Sequence, residues 1–402
     1  MWWKDQLPID GVYVHIPFCK NLCGYCGFVK QTPTSYVDQY ATTVAQELKY
    51  LTQNFSLQIK PKTLYFGGGT PSLFEGKMVE HISHELSSVF SLEELEEFTV
   101  EANPSDISIN LLGRLKDIGV TRLSIGIQSP VSSILLNLQR IQHQQDVIKA
   151  GEILSASPFA LNMDLIYGCP GMSLHHIEES ISQLLKCNIS HISAYELTLH
   201  KSHPSSPYRP DDDIIVQQAL LIRSLLASAG FTQYEVSNYA KPGYESKHNL
   251  NYWNFKNVLG LGVGAHSSLN FIHKTEGKLT NLNWTNPAAT AVYTNTCSST
   301  KHPLHQTKPQ NSVDTEKLFL VAHLRKQQGF LLQTYQDYFG KNFLTQYSKT
   351  VHTFRDKGWL TIHQNKCQPT AAGLFFLDSI LIELFDELEK RGCLTLPAHI
   401  PI

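Results

Sequence analysis

Three cysteines crowd into eight residues near the N-terminus, as Cys19-x3-Cys23-x2-Cys26. Thiolates on one short loop can each hold a different iron of a cubane cluster and leave the fourth iron without a protein ligand. Such an open position on a metal centre is where a small molecule binds and reacts. No further cysteine follows nearby; the position two after Cys26 is Phe28. The competing reading is structural zinc with His15 as a fourth ligand. Such sites draw on two separated ligand pairs, and this chain has no second pair. Cys169, Cys187, Cys297, Cys367 and Cys393 lie far apart and read as ordinary buried thiols. Clustered thiols without a secretory signal point to a reducing, cytoplasmic setting.

Other polar groups recur at the ends of strand-like runs. Leu64-Tyr65-Phe66 runs into Gly67-Gly68-Gly69-Thr70, where missing Cβ atoms let backbone approach a ligand. No Gly-Lys-Ser/Thr follows, so this is not a phosphate-binding P-loop. Glu101 closes Phe98-Thr99-Val100, Gln128 closes Arg122 to Ile127, Asp164 sits within Leu161 to Ile166, and Glu196 follows His191 to Tyr195. Taken singly, a polar residue simply ends a strand; five such clusters in succession predict one common mouth.

The elements behind these ends alternate. Val12 to Ile16 reads as a strand, and Val37, Tyr40, Val44, Leu48 and Leu51 recur at helical spacing, as do Val79, Ile82, Leu86 and Val89. Repeated strand–helix units from Gly11 to about His200 predict an α/β fold with a parallel sheet. The shared mouth favours a partial (β/α) barrel, whose strand C-termini converge on the site.

Past residue 205 the rhythm changes. Residues 232–300 are aromatic- and asparagine-rich with little regular pattern apart from Val258-Leu259-Gly260-Leu261-Gly262-Val263, and 296–313 reads as a polar linker. The expected organisation is a barrel domain over 1–235, an extension and linker over 236–313, and a small mainly helical, winged-helix-like domain over 314–402. Leu374 to Ile382, interrupted by Asp378, reads as a buried helix face, and no apolar run reaches the ~18 residues of a spanning helix. With 33 Lys and Arg against 35 Asp and Glu, no basic field is present to attract nucleic acid.

Tyr13-Val14-His15-Ile16-Pro17-Phe18-Cys19 and Cys23-Gly24-Tyr25-Cys26 resemble the cysteine signature of the radical SAM superfamily. The branch they are most similar to contains oxygen-independent coproporphyrinogen III oxidases and HemW-type haem chaperones. The likeness continues through Gly67 to Ser72, Glu101 to Pro104, Gly126 to Ser129, Asp164 to Gly171 and Gly260 to Ser267, covering most of residues 11–270. It implies a [4Fe–4S] cluster on Cys19, Cys23 and Cys26, with S-adenosylmethionine chelating the open iron. An electron from the reduced cluster breaks the sulfonium bond in that superfamily. Gly68, Gly69 and Thr70 are then expected to line the cofactor pocket, with Tyr13 and Tyr25 flanking the cluster. Glu101, Gln128, Arg140 and Asp164 are expected to contact S-adenosylmethionine.

Two departures separate the branches. The oxidases carry a further cysteine where Phe28 stands, and His248-Asn249-Leu250-Asn251-Tyr252 resembles the chaperones' haem-associated motif, marking His248, Asn249 and Tyr252 as haem contacts. The resemblance therefore implies a chaperone that takes haem as cargo and passes it to an acceptor protein. An electron donor is its other partner, a homodimer is compatible with it, and the oxidase is the alternative.

Overall fold

The computed structural model describes residues 2, 3, 5–33, 37–140 and 144–390, so Cys393 lies outside the described residues. Six parallel strands form the body of the molecule. They are β1 (Leu7–Ile16), β2 (Leu57–Gly68), β3 (Glu97–Ala102), β4 (Arg122–Gln128), β5 (Ala160–Tyr167) and β6 (His191–Glu196), neighbours in that order. The crossovers are α1 (Val37–Asn54), α2 (Lys77–Leu86), α3 (Ile109–Asp117), α4 (Ser132–Asn137) with α5 (Gln144–Ser155), and α6 (Leu174–Leu184); α7 (Asp212–Ser228) follows β6. Parallel neighbours need such crossovers, and helices supply them. Ser108 and Ser173 start α3 and α6 by accepting the N–H groups of Leu111 and His176.

Strand alternation divides the sheet into two faces. Val12, Val14, Leu64, Phe66, Phe98, Val100, Leu123, Ile125, Leu161 and Met163 are buried against the helices. Tyr40, Val44, Leu48 and Leu51 of α1 meet them, each burial being worth roughly 1.5–3 kcal/mol for an aliphatic side chain. The residues between point inward and are polar. Tyr13 stands opposite Tyr65, Tyr65 opposite Thr99, Glu101 opposite Ser124, Ser124 opposite Asn162, and Asp164 opposite Ser193. The barrel therefore has a greasy coat and a polar lumen, open between its edge strands.

The stretch expected to lack regular pattern is structured. It forms β7 (Thr232–Gln233), β8 (Asn238–Ala240), α8 (Lys247–Trp253), β9 (Val258–Leu261), β10 (His266–Ile272) and β11 (Leu279–Thr285). These strands extend both edges, giving the order β11-β10-β9-β1 at one side and β6-β8-β7 at the other. Their polarity is accounted for by side-chain pairing: Asn281 donates to Ser268 and to Asn270 at 2.9 Å across the β10–β11 hairpin.

The polar stretch 296–313 packs rather than trails. His302 is fully buried 3.3 Å from Glu47 of α1. The Glu47 carboxylate also accepts the Gly262 N–H at 2.9 Å and the Asn286 amide and Tyr293 hydroxyl at 2.6 Å. A buried carboxylate with four partners is the condition under which such burial is tolerated. The barrel's core extends as far as Leu304.

Beyond it lies a mainly helical unit with its own core, including Phe319, Tyr335, Phe343, Tyr347 and Ile380. A three-stranded antiparallel sheet of Phe330–Leu331, Lys366–Pro369 and Leu360–His363 accompanies the helices. The run Leu374 to Ile382, expected as one buried helix face, is split between helices Ala371–Phe375 and Leu377–Glu389. Leu374, Leu377, Ile380 and Leu381 are buried, joined by Leu384 and Leu388, while Phe375, Phe376 and Ile382 are exposed because the break at Phe376 turns them outward. Among the described residues, no helix is long and apolar enough to cross a membrane.

Candidate functional site

A cavity of about 540 Å³ opens at the C-terminal ends of the strands. Cys19, Cys23 and Cys26 line it together with Tyr25, Gly68, Gly69, Thr70, Glu101, Gln128, Arg140 and Asp164. Residues spread over 146 positions are thus gathered at one mouth, because successive parallel strands deliver their C-termini to the same end. Tyr13 is absent from the wall: it sits one layer deeper, its hydroxyl 3.0 Å from His15 Nδ1. His248, Asn249 and Tyr252 are also absent from it.

The cysteine loop is held from several sides. Cys19 N–H donates to Gln31 O and Gln31 N–H to Pro17 O, pinching the loop closed at its base. Gly69 N–H and Thr70 N–H donate to Ile16 O and Phe18 O, tying the glycine turn to the strand that carries Cys19. A Cβ at Gly69 would lie 2.7 Å from Phe18 O, and one at Gly68 would fall 2.3 Å from the His15 ring, with φ at +106° besides. Gly264 packs on Val29 in the same way, and Tyr40 donates to His15 O at 2.5 Å. The Gly260–Ser267 motif is therefore a buttress behind the cysteine loop.

His15 is committed elsewhere than to a metal. Burial lowers its pKa, so the ring is neutral, and its Nε2 lies 2.7 Å from the carbonyl of Val29. A carbonyl only accepts, so Nε2 carries the proton and Nδ1 accepts from Tyr13. The histidine proposed as a fourth zinc ligand instead fixes the far side of the cysteine loop. Among the described residues, no three His, Cys, Asp or Glu side chains converge on a single-ion position. A cubane takes one thiolate per iron and does not require such convergence. Burial raises the pKa of Cys19, and its neighbours Cys26 and Cys23 raise it further, while Thr70 and Lys30 oppose them. Iron would reverse that balance by stabilising the thiolates.

Two carboxylates face the cavity from the inner faces of β3 and β5, with Ser124 of β4 between them. Glu101 accepts the Tyr65 hydroxyl at 2.8 Å and the Gly68 N–H at 3.0 Å. Burial pushes its pKa up to about 7 against these bonds, and Asp164 adds to the rise. Asp164 accepts the Asn162 amide at 2.8 Å and the Ser124 hydroxyl at 3.3 Å, and burial raises its pKa too. Paired acids in a closed lumen suit a ligand bearing positive charge or several N–H and O–H donors. Arg140 bonds Tyr25 at 3.0 Å and both Asn103 and Gly126 O at 2.8 Å, joining the cysteine loop to the ends of β3 and β4. Gln128 lines the wall in a left-handed conformation, φ +66°, at a register shift between β4 and β5. Three thiols, a glycine turn with free approach, two buried acids and a guanidinium fit a cubane with S-adenosylmethionine on its open iron.

Tyr65, Asn103 and Ser124 hold this site, and motif reading missed them. Tyr65 was within reach, since strand alternation from Gly67 places it on the inner face.

His248 lies beneath the site, 1% exposed. It belongs to α8, which closes the N-terminal end of the barrel. Glu97, at the start of β3, accepts the Lys247 and His248 N–H groups at 2.9 Å, capping that helix with a carboxylate. His248 Nδ1 is 2.9 Å from Thr63 Oγ1, and Nε2 is 3.4 Å from the Tyr252 hydroxyl. Burial holds the His248 pKa down at about 3. Asn249 N–H is taken by Ser246.

A family model described as the radical SAM superfamily matches residues 13–184, and one described as the HemN C-terminal domain matches 318–376. The heme chaperone HemW of Haemophilus influenzae is 30% identical over 397 residues, covering 94% of this chain and 98% of that protein. The heme chaperone HemW of Lactococcus lactis is 31% identical over 351 residues, covering 85% and 88%. Among solved structures, the coproporphyrinogen III oxidase HemN of Escherichia coli, described as a radical SAM enzyme, shares the fold. Its TM-score is 0.77 at 18% identity, covering 94% of this chain and 90% of that one. Cysteine loop, lumen acids and near full-length similarity agree: the chain belongs to the radical SAM superfamily and, within it, to the family of HemW heme chaperones.

Proposed function

We propose that this chain is a cytoplasmic haem chaperone that carries a [4Fe–4S] cluster on Cys19, Cys23 and Cys26 with S-adenosylmethionine beside it. It binds haem and delivers it to an acceptor protein. The observation that carries the reading is the similarity to HemW heme chaperones over nearly the whole of both chains, joined to a lumen whose side chains fit the cofactors. Cluster and S-adenosylmethionine supply one-electron chemistry, which calls for an electron donor; Glu101, Asp164, Gly68, Gly69 and Thr70 orient the second of them. Phe28 favours the chaperone over the oxidase, since an apolar side chain, 65% exposed, stands where the oxidases have a cysteine. His248, Asn249 and Tyr252 are the haem contacts of this reading. With His248 buried in the barrel floor, direct ligation by it requires α8 to shift.

The test is anaerobic reconstitution followed by iron and sulfide analysis, haem titration and incubation with coproporphyrinogen III on one sample. The expected result is a loaded cluster, stable haem binding and no decarboxylation. Formation of protoporphyrinogen by wild-type protein would move the chain to the oxidase reading, and a colourless protein holding zinc would end both.

A further inference from the structure

We infer that His248 and its helix are positioning elements for the S-adenosylmethionine site, holding Glu101 and the cysteine loop from below. This rests on the cofactor assignment proposed above and adds to it a residue that touches neither cofactor.

The connection is continuous. Thr63 Oγ1 accepts the Asn251 amide at 2.9 Å and shares a second hydrogen bond with the Nδ1 of the His248 ring, also at 2.9 Å. Thr63 and Tyr65 share the inner face of β2, two residues apart. The His248 ring lies under Tyr65 at 5.1 Å between centroids and near Tyr13 at 6.4 Å, inclined by 34° and 36°. Those tyrosines lead upward by separate routes. Tyr65 donates to Glu101 at 2.8 Å; Tyr13 bonds His15, which holds Val29 O at the end of the cysteine loop. One imidazole therefore supports both arms of the site.

The opposite strand makes room for this arrangement. Gly11 faces Thr63 in the β1–β2 register, and a Cβ there would lie 2.8 Å from Thr63 Oγ1 and 2.9 Å from Asn251 Nδ2. A strand interior is an unfavourable place for glycine unless something approaches closely, and here α8 does. Removing the ring would leave a void under two tyrosines and take one of the two partners from the buried Thr63 hydroxyl, and Glu101 would lose its fixed orientation. Loss of haem binding on mutating His248 is thus not by itself a sign of ligation.

The test uses full-length reconstituted protein. S-adenosylmethionine affinity is read from its effect on the electron paramagnetic spectrum of the reduced cluster. The proteins are wild type, His248→Ala, His248→Asn, Tyr65→Phe and the His248→Ala/Tyr65→Phe double variant, with haem titrated on each. Circular dichroism and iron content check that each is folded and loaded. We expect His248→Ala and Tyr65→Phe each to weaken S-adenosylmethionine roughly tenfold, the loss of one hydrogen bond to a charged group. The double variant should be little worse than His248→Ala alone, because the Tyr65–Glu101 bond is one of the two arms that the imidazole supports. His248→Asn, whose amide oxygen can replace Nδ1 toward Thr63, should recover part of the affinity although it offers no imidazole to iron. Wild-type cofactor affinity in His248→Ala, with haem binding lost in both Ala and Asn variants, would overturn the inference and make the residue a haem ligand. A wild-type protein whose cluster ignores S-adenosylmethionine would count against the proposed function instead. The inference is then decided on the apoprotein by infrared titration of Glu101: its carboxyl band moves in His248→Ala if the inference holds, and stays in place if it does not.

Discussion

On the proposed ligand set the three thiols of the cysteine loop leave no redundancy, because each would serve a different iron and the fourth iron would have no protein ligand. Replacing Cys19, Cys23 or Cys26 with Ala should each remove most iron and sulfide from reconstituted protein. Cys297→Ala should not, since that thiol is buried against the Thr43 carbonyl, outside the cavity wall. Full iron and sulfide in Cys23→Ala would refute the ligand set. Glu101 adds a pH dependence with two opposite signs. Its carboxyl titrates at about 7 in the folded chain against 4.5 when unperturbed, chiefly through burial. Between those values the folded protein keeps a proton that the unfolded chain has released, so this residue makes stability fall as pH rises through the window. S-adenosylmethionine follows the other direction, because the ionised carboxylate is the stronger acceptor for its amino and hydroxyl donors. Affinity should rise roughly tenfold from pH 6 to pH 8, as the ionised fraction of a group with that pKa does. Glu101→Gln should flatten the profile, and an unchanged profile in that variant would remove Glu101 from the contact.

Among the elements, the glycine turn at the end of β2 is tightly constrained. Its three glycines answer three different neighbours: a Cβ at Gly67 would meet Glu101 and Tyr65 at 2.9 Å, at Gly68 the His15 ring, and at Gly69 the backbone around Pro17. Gly68→Ala combines a steric conflict with a left-handed φ and should cost about 1–3 kcal/mol. It should also lower cluster content, since His15 must move to admit it; thermal unfolding together with iron analysis checks both. The strand–turn–glycine pattern, the cysteine loop and the alternation of strands with helices were all legible in the amino-acid sequence, because each leaves a local mark. The β10–β11 hairpin was not. Its strands satisfy their polar groups with asparagine amides across a hairpin, so composition there reads as loop. His248 was visible as a motif, but its address was not: only the pairing of Thr63 with a helix 185 residues away places it under the site. Burial of the stretch around His302 was hidden for the same reason, since its partner Glu47 lies 255 residues earlier.

At the scale of the whole molecule, the C-terminal unit docks beside the helix that closes the barrel floor. Arg325 donates to Glu235 at 2.7 Å, and its guanidinium lies 4.6 Å from the ring centre of Trp253, the last residue of α8. Lys326, whose pKa burial brings down to about 8, donates to Asn254 at 2.5 Å, and Gln327 N–H reaches Tyr234 O at 3.0 Å. Glu235 is fully buried, so its charge relies on this contact together with the Ser237 N–H and the Asn238 amide. Arg325→Ala should therefore cost about 3–5 kcal/mol by leaving a buried carboxylate without its counter-charge. The loss should appear mainly at the junction, because the barrel has a separate apolar core and the C-terminal core, among its buried residues, reaches it only through Phe255 and Leu279. Calorimetry should then resolve two transitions where wild type shows more nearly one, with the C-terminal unit melting first. Arg325→Lys keeps the charge but cannot reproduce the planar contact with Trp253, so it should fall between the two. A single transition in Arg325→Ala at the wild-type temperature would show that the Arg325 contacts do not join the units, leaving that to the Lys326 and Gln327 hydrogen bonds and to the apolar contacts of Phe255 and Leu279.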